Sequence, residues 1–364
     1  MEKIPFDPKE LEASGEYRSF RPDAKGIPIL NTPITAKENF RKFAFNEEGG
    51  PLWMPSYPEI KMFNPQVIPE NVARAIVAEA VPYNPREDTT PFHKDFFGVE
   101  WEFVPTAGGS MVRPGKPFLE DIEDWESVII PPDLSKYDWE GSVERNKEFL
   151  SETRAYKTTV FTGFFERLIS FIDMAPALLA LIDEDEQECV HGIFDRLATF
   201  YDELFGYYEK YFHMDAVWFH DDWGSQRAPL FSADTCYEML VPYFKRVVES
   251  AHKHGMAFEF HCCGQDELLV PCMIEAGMDM WQGQPMNDYR KLYKQYGKQI
   301  KFCVDFDPLP ENPTDQQIRD AVNAFLDDFP ENVYVGMSIY GNPDVYVALY
   351  EETRKRFSKV PTTV

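Results

Sequence analysis

Positive charge is what this chain has least of. Its 36 Lys and Arg stand against 62 Asp and Glu, a formal net charge of −26 over 364 residues. A surface that negative repels phosphate backbones, so no nucleic-acid partner is expected. Cysteine is sparse as well, with six: Cys189, Cys236, Cys262, Cys263, Cys272 and Cys303. So long and cysteine-poor a chain is no disulfide scaffold, and reduced thiols in a cytoplasm fit it best. No apolar stretch approaches the length of a membrane span, and the start, Met1-Glu2-Lys3-Ile4-Pro5, has no apolar signal run. The expected setting is cytoplasmic, with no membrane partner. Internal repeats and low-complexity tracts are missing. No GxGxxG follows any strand signal, which disfavours a dinucleotide fold.

What is there is a large apolar budget, 44% hydrophobic and 15% aromatic residues. That suffices for one large barrel or two ordinary domains without staples. The stretch Ala216–Gln284 organises the rest. Three short apolar runs, Ala216–Phe219, Met256–Phe260 and Met278–Trp281, are each followed at once by polar, reactive residues. Between the first two the spacing predicts a helix. Ser232 is its N-cap, Leu240, Val241, Phe244, Val247 and Val248 form its apolar face, and Gly255 takes the left-handed position after it. A shorter helix, Asp266–Ala276, follows the second run. Strand–loop–helix repeated in this order builds a parallel sheet with right-handed crossovers, and ligands sit at the carboxyl ends of such strands.

The flanks extend the pattern. Thr35 and Glu38 form a capping box for a helix to about Phe45, and Leu52–Pro55 suits a first strand. A helical piece is expected at Val72–Ala80, a strand or hairpin over Phe96–Val104, and a loop able to cover a pocket at Thr106–Pro117. Lys157–Thr162, Ile300–Val304 and Val333–Met337 read as strands. Phe164–Met174, Glu186–Phe212, Asp315–Phe329 and Asp344–Phe357 read as helices. The expected fold is α/β, a (β/α)8 TIM barrel with an elaborated N-terminal region. Residues 1–34 would form an arm and residues 35–360 a single barrel domain.

At the expected mouth the candidates fall by strand. His220, Asp221 and Asp222 follow the first run as catalytic groups. Two adjacent carboxylates there suit proton transfer or holding a donor group. Gln282 and Gln284 suit substrate orientation, and Trp223, Trp281 and Tyr340 an aromatic wall. His261 and Cys263 are two residues apart, so on a strand both point to one face and can reach one metal ion. Cys262 points the other way and reads as core, and Cys272 as structural.

Several motifs together resemble the uroporphyrinogen decarboxylase superfamily: Asp221-Asp222-Trp223-Gly224-Ser225-Gln226, Ser232, Pro242, His254-Gly255, His261-x-Cys263-Gly264 and Glu275-Ala276-Gly277-Met278-Asp279. Within it they are similar to the corrinoid-dependent methyltransferases, as are Lys37–Arg41 and Asp95–Trp101. The resemblance spans roughly residues 35–357. Arg18-Ser19-Phe20-Arg21 does not match the arginine-rich substrate motif of the true decarboxylase. Thiol-methylating members hold zinc on a His-x-Cys pair, matched by His261 and Cys263, and on a distant cysteine. Where that cysteine should fall, Met337-Ser338-Ile339 stands, so Glu259, Cys303 or Asp305 would complete the site.

The resemblance implies a methyltransferase. It would move a methyl group from a small donor, such as a methoxylated aromatic or a methylamine, to the cobalt of a separate corrinoid protein. Gln226 joins the substrate-binding candidates. No Asp-x-His-x-x-Gly cobalamin motif occurs here, so the corrinoid belongs to the partner. Zinc-dependent transfer to a thiol, a decarboxylase-like reaction and a non-enzymatic binding protein on the same barrel stay open, as does a homodimer.

Overall fold

Seven short strands carry the fold in a computed structural model that describes residues 4–17, 25–65, 67, 68, 72, 92–104, 109–151 and 153–358. They are β1 (Ile60–Met62), β2 (Ala155–Val160), β3 (Ala216–His220), β4 (Ala257–His261), β5 (Met280–Gln282), β6 (Lys301–Val304) and β7 (Val333–Val335). They pair in chain order in one sheet, every pairing parallel. The two edges meet. Ser56 forms a parallel bridge with Val335, and Val335 N donates to Pro55 O at 3.0 Å. The architecture is TIM-barrel-like, with seven strands in the sheet among the described residues where eight were expected. The first strand also differs from Leu52–Pro55. The chain bridges at Ser56, turns through a 3-10 helix at Tyr57–Glu59 and only then pairs as β1. Pro58, which has no N–H for a ladder, sits in that turn.

The strands are buried on both faces, as parallel strands covered by helices must be. All six residues of β2 are buried, Lys157, Thr158 and Thr159 among them. The helices follow from caps and apolar stripes. Helix α1 (Ala36–Ala44) begins at the Thr35–Glu38 capping box. After β2 comes α2 (Phe164–Ile172), and α3 (Gln187–Phe212) leads into β3. The single helix expected after Ser232 is two, Ala233–Met239 and α4 (Val241–Lys253), because Pro242 lies in the first turn of α4 and cannot donate back into the preceding helix. Gly255 has φ +72°, as a residue after a helix end should. Thr314 and Gln317 form the capping box of α5 (Asp315–Asp328), and α6 (Pro343–Ser358) closes the chain.

The N-terminal segment packs onto this frame. Ala13–Tyr17 and Ile27–Leu30 pair antiparallel, and Ile27 and Leu30 are buried. Expected as a surface arm, the segment is tied in by Glu10, whose carboxylate takes Arg354 Nε and Nη2 at 2.8 Å each. Phe92–Lys94, Glu100–Val104 and Gly109–Met111 form a second antiparallel sheet. Asp95 fixes its first turn, accepting from Phe97 N (2.8 Å), Val99 N (3.0 Å) and Trp101 Nε1 (2.9 Å). The same carboxylate pairs with Arg167 of α2, both side chains fully buried. Of the expected loop 106–117, residues 106–108 lie outside the described residues and 109–111 are strand. The expected helix at 72–80 and the segment 18–21 lie almost wholly outside them.

Candidate functional site

The carboxyl ends of the strands converge on one mouth, and two glycines decide what meets there. Gly264, after β4, has φ +107°. A Cβ on it would stand 2.4 Å from the Gly224 carbonyl carbon in the loop after β3. Only a residue without a side chain permits both that backbone conformation and that approach. Ser225 O takes Gln265 N at 2.9 Å and locks the two loops together. Asp222 is thereby laid on the β4 loop, its Oδ1 accepting Cys263 N at 2.7 Å. Cys263 Sγ lies 3.5 Å from His261 Nε2. Asp222, His261 and Cys263 each offer one ligand atom, and these atoms lie within 4.8 Å of one another. A carboxylate oxygen, an imidazole nitrogen and a thiol sulfur form a donor set suited to zinc.

The other expected ligands lie elsewhere. Glu259 points into the barrel one layer deeper, where its carboxylate takes Lys157 Nζ at 2.8 Å and the Tyr334 hydroxyl. An ion pair with both side chains fully buried leaves it no part in the cluster, and Asp222 stands in the third place instead. Cys303 accepts from Gln282 Nε2 at 3.4 Å, and Asp305 Oδ1 accepts Ser338 N at 2.8 Å.

The two adjacent aspartates differ completely. Asp221 is fully buried and caps α2, accepting Phe165 N (3.1 Å), Glu166 N (2.8 Å) and Trp223 Nε1 (2.9 Å). Burial pushes its carboxyl up to about 7. Asp221, expected as a catalytic group, thus has its carboxylate occupied by three donors inside the fold, strand alternation turning it outward and Asp222 toward the mouth. His220 stays at the mouth, its ring 4.5 Å from that of His261 and 4.1 Å from that of Trp218. Burial, and then His261, hold its pKa well below the usual imidazole value.

The expected aromatic wall is mostly core. Trp223 is fully buried against Phe260, 4.5 Å between rings, and Trp281 packs on Tyr289 and Phe302. Both face the helices. Tyr340 is buried with its ring 6.1 Å from Tyr57. Gln226 is exposed, and Gln284 Oε1 accepts Gly264 N at 3.0 Å, supporting the loop. Gln282 Oε1 lies 3.2 Å from His261 Nδ1. Cys262 is core, bonded to Trp223 N and Asp266.

One mouth residue was missed. Glu166, two residues into α2, is neighboured by Asp222 and Asp221, and its Oε2 is buried without a hydrogen-bond partner. Burial, then the two aspartates, hold its carboxyl well above the usual carboxylate range. The signal was available: Glu166 follows a strand end, as the other candidates do. Without a cation, burial and then Asp222 push the Cys263 thiol upward too. A divalent ion reverses that balance by favouring the thiolate.

Fold and site together define a TIM-barrel-like protein with an Asp–His–Cys cluster at the carboxyl ends of its strands. No protein-family model matches the chain, and no curated protein does. Among solved structures it is similar to a methyltransferase from Methanosarcina mazei, at 14% identity over 90% of this chain and 100% of that one, TM-score 0.58. Weaker similarities reach a xylanase from Gloeophyllum trabeum (8% identity, 61% and 82% coverage, TM-score 0.36). A sugar phosphate isomerase/epimerase from Parabacteroides distasonis matches at 10% identity, 64% and 82% coverage, TM-score 0.33. At 14% identity the likeness to the methyltransferase speaks for the fold alone.

Proposed function

We propose that this protein is a methyltransferase that holds a zinc ion on Asp222, His261 and Cys263 and moves a methyl group from a small methylated donor to the corrinoid of a separate protein. The observation that carries the reading is the three-residue cluster at the barrel mouth. The fold-level likeness to a methyltransferase along nearly the whole chain agrees with it.

A methyl group on oxygen or nitrogen leaves reluctantly. A cobalt(I) corrinoid takes it as a methyl cation equivalent, and the bonding pair stays on the departing atom. Zinc in the mouth would supply Lewis acidity for that pair. The chain's own residues do the rest. Asp222, His261 and Cys263 would hold the ion, three protein ligands being the number typical of reactive rather than structural zinc. His220 and Glu166 flank the opening, and the carboxyl can hold a proton near the departing atom. Arg167 of α2 is committed to Asp95 and Thr162. The cysteine ligand also favours a second reading, transfer to a zinc-bound thiol.

Metal analysis of wild type beside Cys263→Ser tests the cluster, and corrinoid methylation with methoxylated aromatics or methylamines tests the reaction. Stoichiometric zinc in wild type, lost in the variant together with methyl transfer, is the expected outcome. Because the ligand thiol must lose its proton, zinc occupancy should fall as pH falls. Transfer to a free thiol without transfer from any donor would favour the second reading. Full activity in metal-free protein would falsify the zinc assignment.

A further inference from the structure

His220, His261, Gln282 and Cys303 lie side by side in one layer of the barrel. The register pairs His220 with His261 and His261 with Gln282, and Cys303 follows Phe302, the partner of Trp281. All four point inward from adjacent parallel strands. Hydrogen bonds link three of them: His261 Nδ1 to Gln282 Oε1 at 3.2 Å, and Gln282 Nε2 to Cys303 Sγ at 3.4 Å. Cys303 pairs in register with Tyr334 of the next strand. Tyr334 donates to Glu259, which is paired with Lys157.

Gln282 Nε2 donates to the Cys303 sulfur, which aims Gln282 Oε1 at His261 Nδ1. An amide oxygen accepts and cannot donate, so it requires N–H at His261 Nδ1. The bare lone pair then sits on Nε2, the atom that faces Cys263. The other tautomer would set two lone pairs face to face in a buried site.

We propose that Gln282 is a positioning residue: anchored on Cys303, it fixes the tautomer and ring orientation of His261 so that Nε2 is presented as a ligand. This rests on the zinc reading for its purpose, but not for its test. Gln282 was expected to bind substrate. The geometry instead occupies both ends of its amide, one on His261 and one on Cys303.

The test begins with metal-free wild type. Imidazole 15N chemical shifts, with the His261 resonance assigned by its loss in His261→Gln, report which ring nitrogen carries the proton. The expected result is Nδ1–H, and Nε2–H would overturn the proposal whether or not zinc binds. Cobalt(II) and zinc titrations against a chelator then compare variants of confirmed fold. Gln282→Leu removes the acceptor and should weaken binding about 10- to 100-fold. Gln282→Glu keeps an oxygen toward Nδ1 and should restore most of it. Gln282→Leu binding as tightly as wild type would also overturn the proposal. The Nδ1–H tautomer in a protein that binds neither metal would leave the positioning of His261 by Gln282 standing and refute the zinc reading alone.

Discussion

Asp221 and Asp222 are neighbours in sequence with separable consequences. Asp221→Ala would strand the Phe165 and Glu166 amides and the Trp223 indole N–H inside the protein. At roughly 1–3 kcal/mol for each buried unsatisfied donor, a loss of about 3 kcal/mol or more is expected in chemical denaturation. Zinc binding should survive wherever the variant is folded. Asp222→Ala should do the reverse, leaving stability nearly intact while lowering zinc affinity and methyl transfer by on the order of 10²-fold. If Asp222→Ala kept full metal content, the third ligand would have to be sought elsewhere.

At the scale of elements, the site depends on two loops touching. Gly264 combines φ +107° with backbone 2.4 Å from where a Cβ would stand, whereas Gly255 has φ +72° and open space around it. Gly255→Ala should cost only the left-handed penalty of about 1–2 kcal/mol. Gly264→Ala should cost more and also push the β4 loop off the β3 loop, separating Asp222 from Cys263. The two variants, compared by thermal unfolding and by zinc content, should therefore differ in metal far more than in stability. Equal zinc in both would mean that the loop contact does not assemble the cluster.

Across the whole molecule, buried charge holds the outer layers to the barrel. Asp95 and Arg167 join the small antiparallel sheet to α2. Removing one partner of a fully buried pair costs about 3–5 kcal/mol, so Arg167→Met should lose stability on that scale in denaturant unfolding. Buried carboxyls also set a pH dependence. Burial pushes Glu59, Asp221 and Asp266 up to about 7, from ordinary values of 4.5 for Glu and 3.8 for Asp. Between those limits the folded protein binds more protons than the unfolded chain. The stability these groups contribute is therefore full at the acidic end, falls as pH rises toward 7, and is flat above. Glu59→Gln isolates one of them. Its unfolding midpoint should gain on wild type between ~pH 4.5 and ~pH 7, and a constant gap would show that the Glu59 carboxyl is not raised by burial.

The alternation of apolar runs with polar strand ends was enough to place β2 to β7 and most of the helices between them, because burial on both faces and capping leave local marks; the helix Tyr289–Tyr296 between β5 and β6 was not expected. The same marks put Asp222, His261 and Cys263 at one mouth. Which of two adjacent aspartates faces it, and that Glu259 is consumed by Lys157 from a strand about a hundred residues away, depended on strand direction and cross-barrel packing. No local pattern records those. The closure through Ser56 escaped for the same reason, being set by pairing with Val335 nearly three hundred residues on; the turn at Tyr57–Glu59, by contrast, carries a local Ser56–Glu59 capping box that went unread. Composition and periodicity determined a parallel α/β barrel with a reactive rim. Only the closed barrel, which sets residues distant in sequence side by side, decided which of those groups meet.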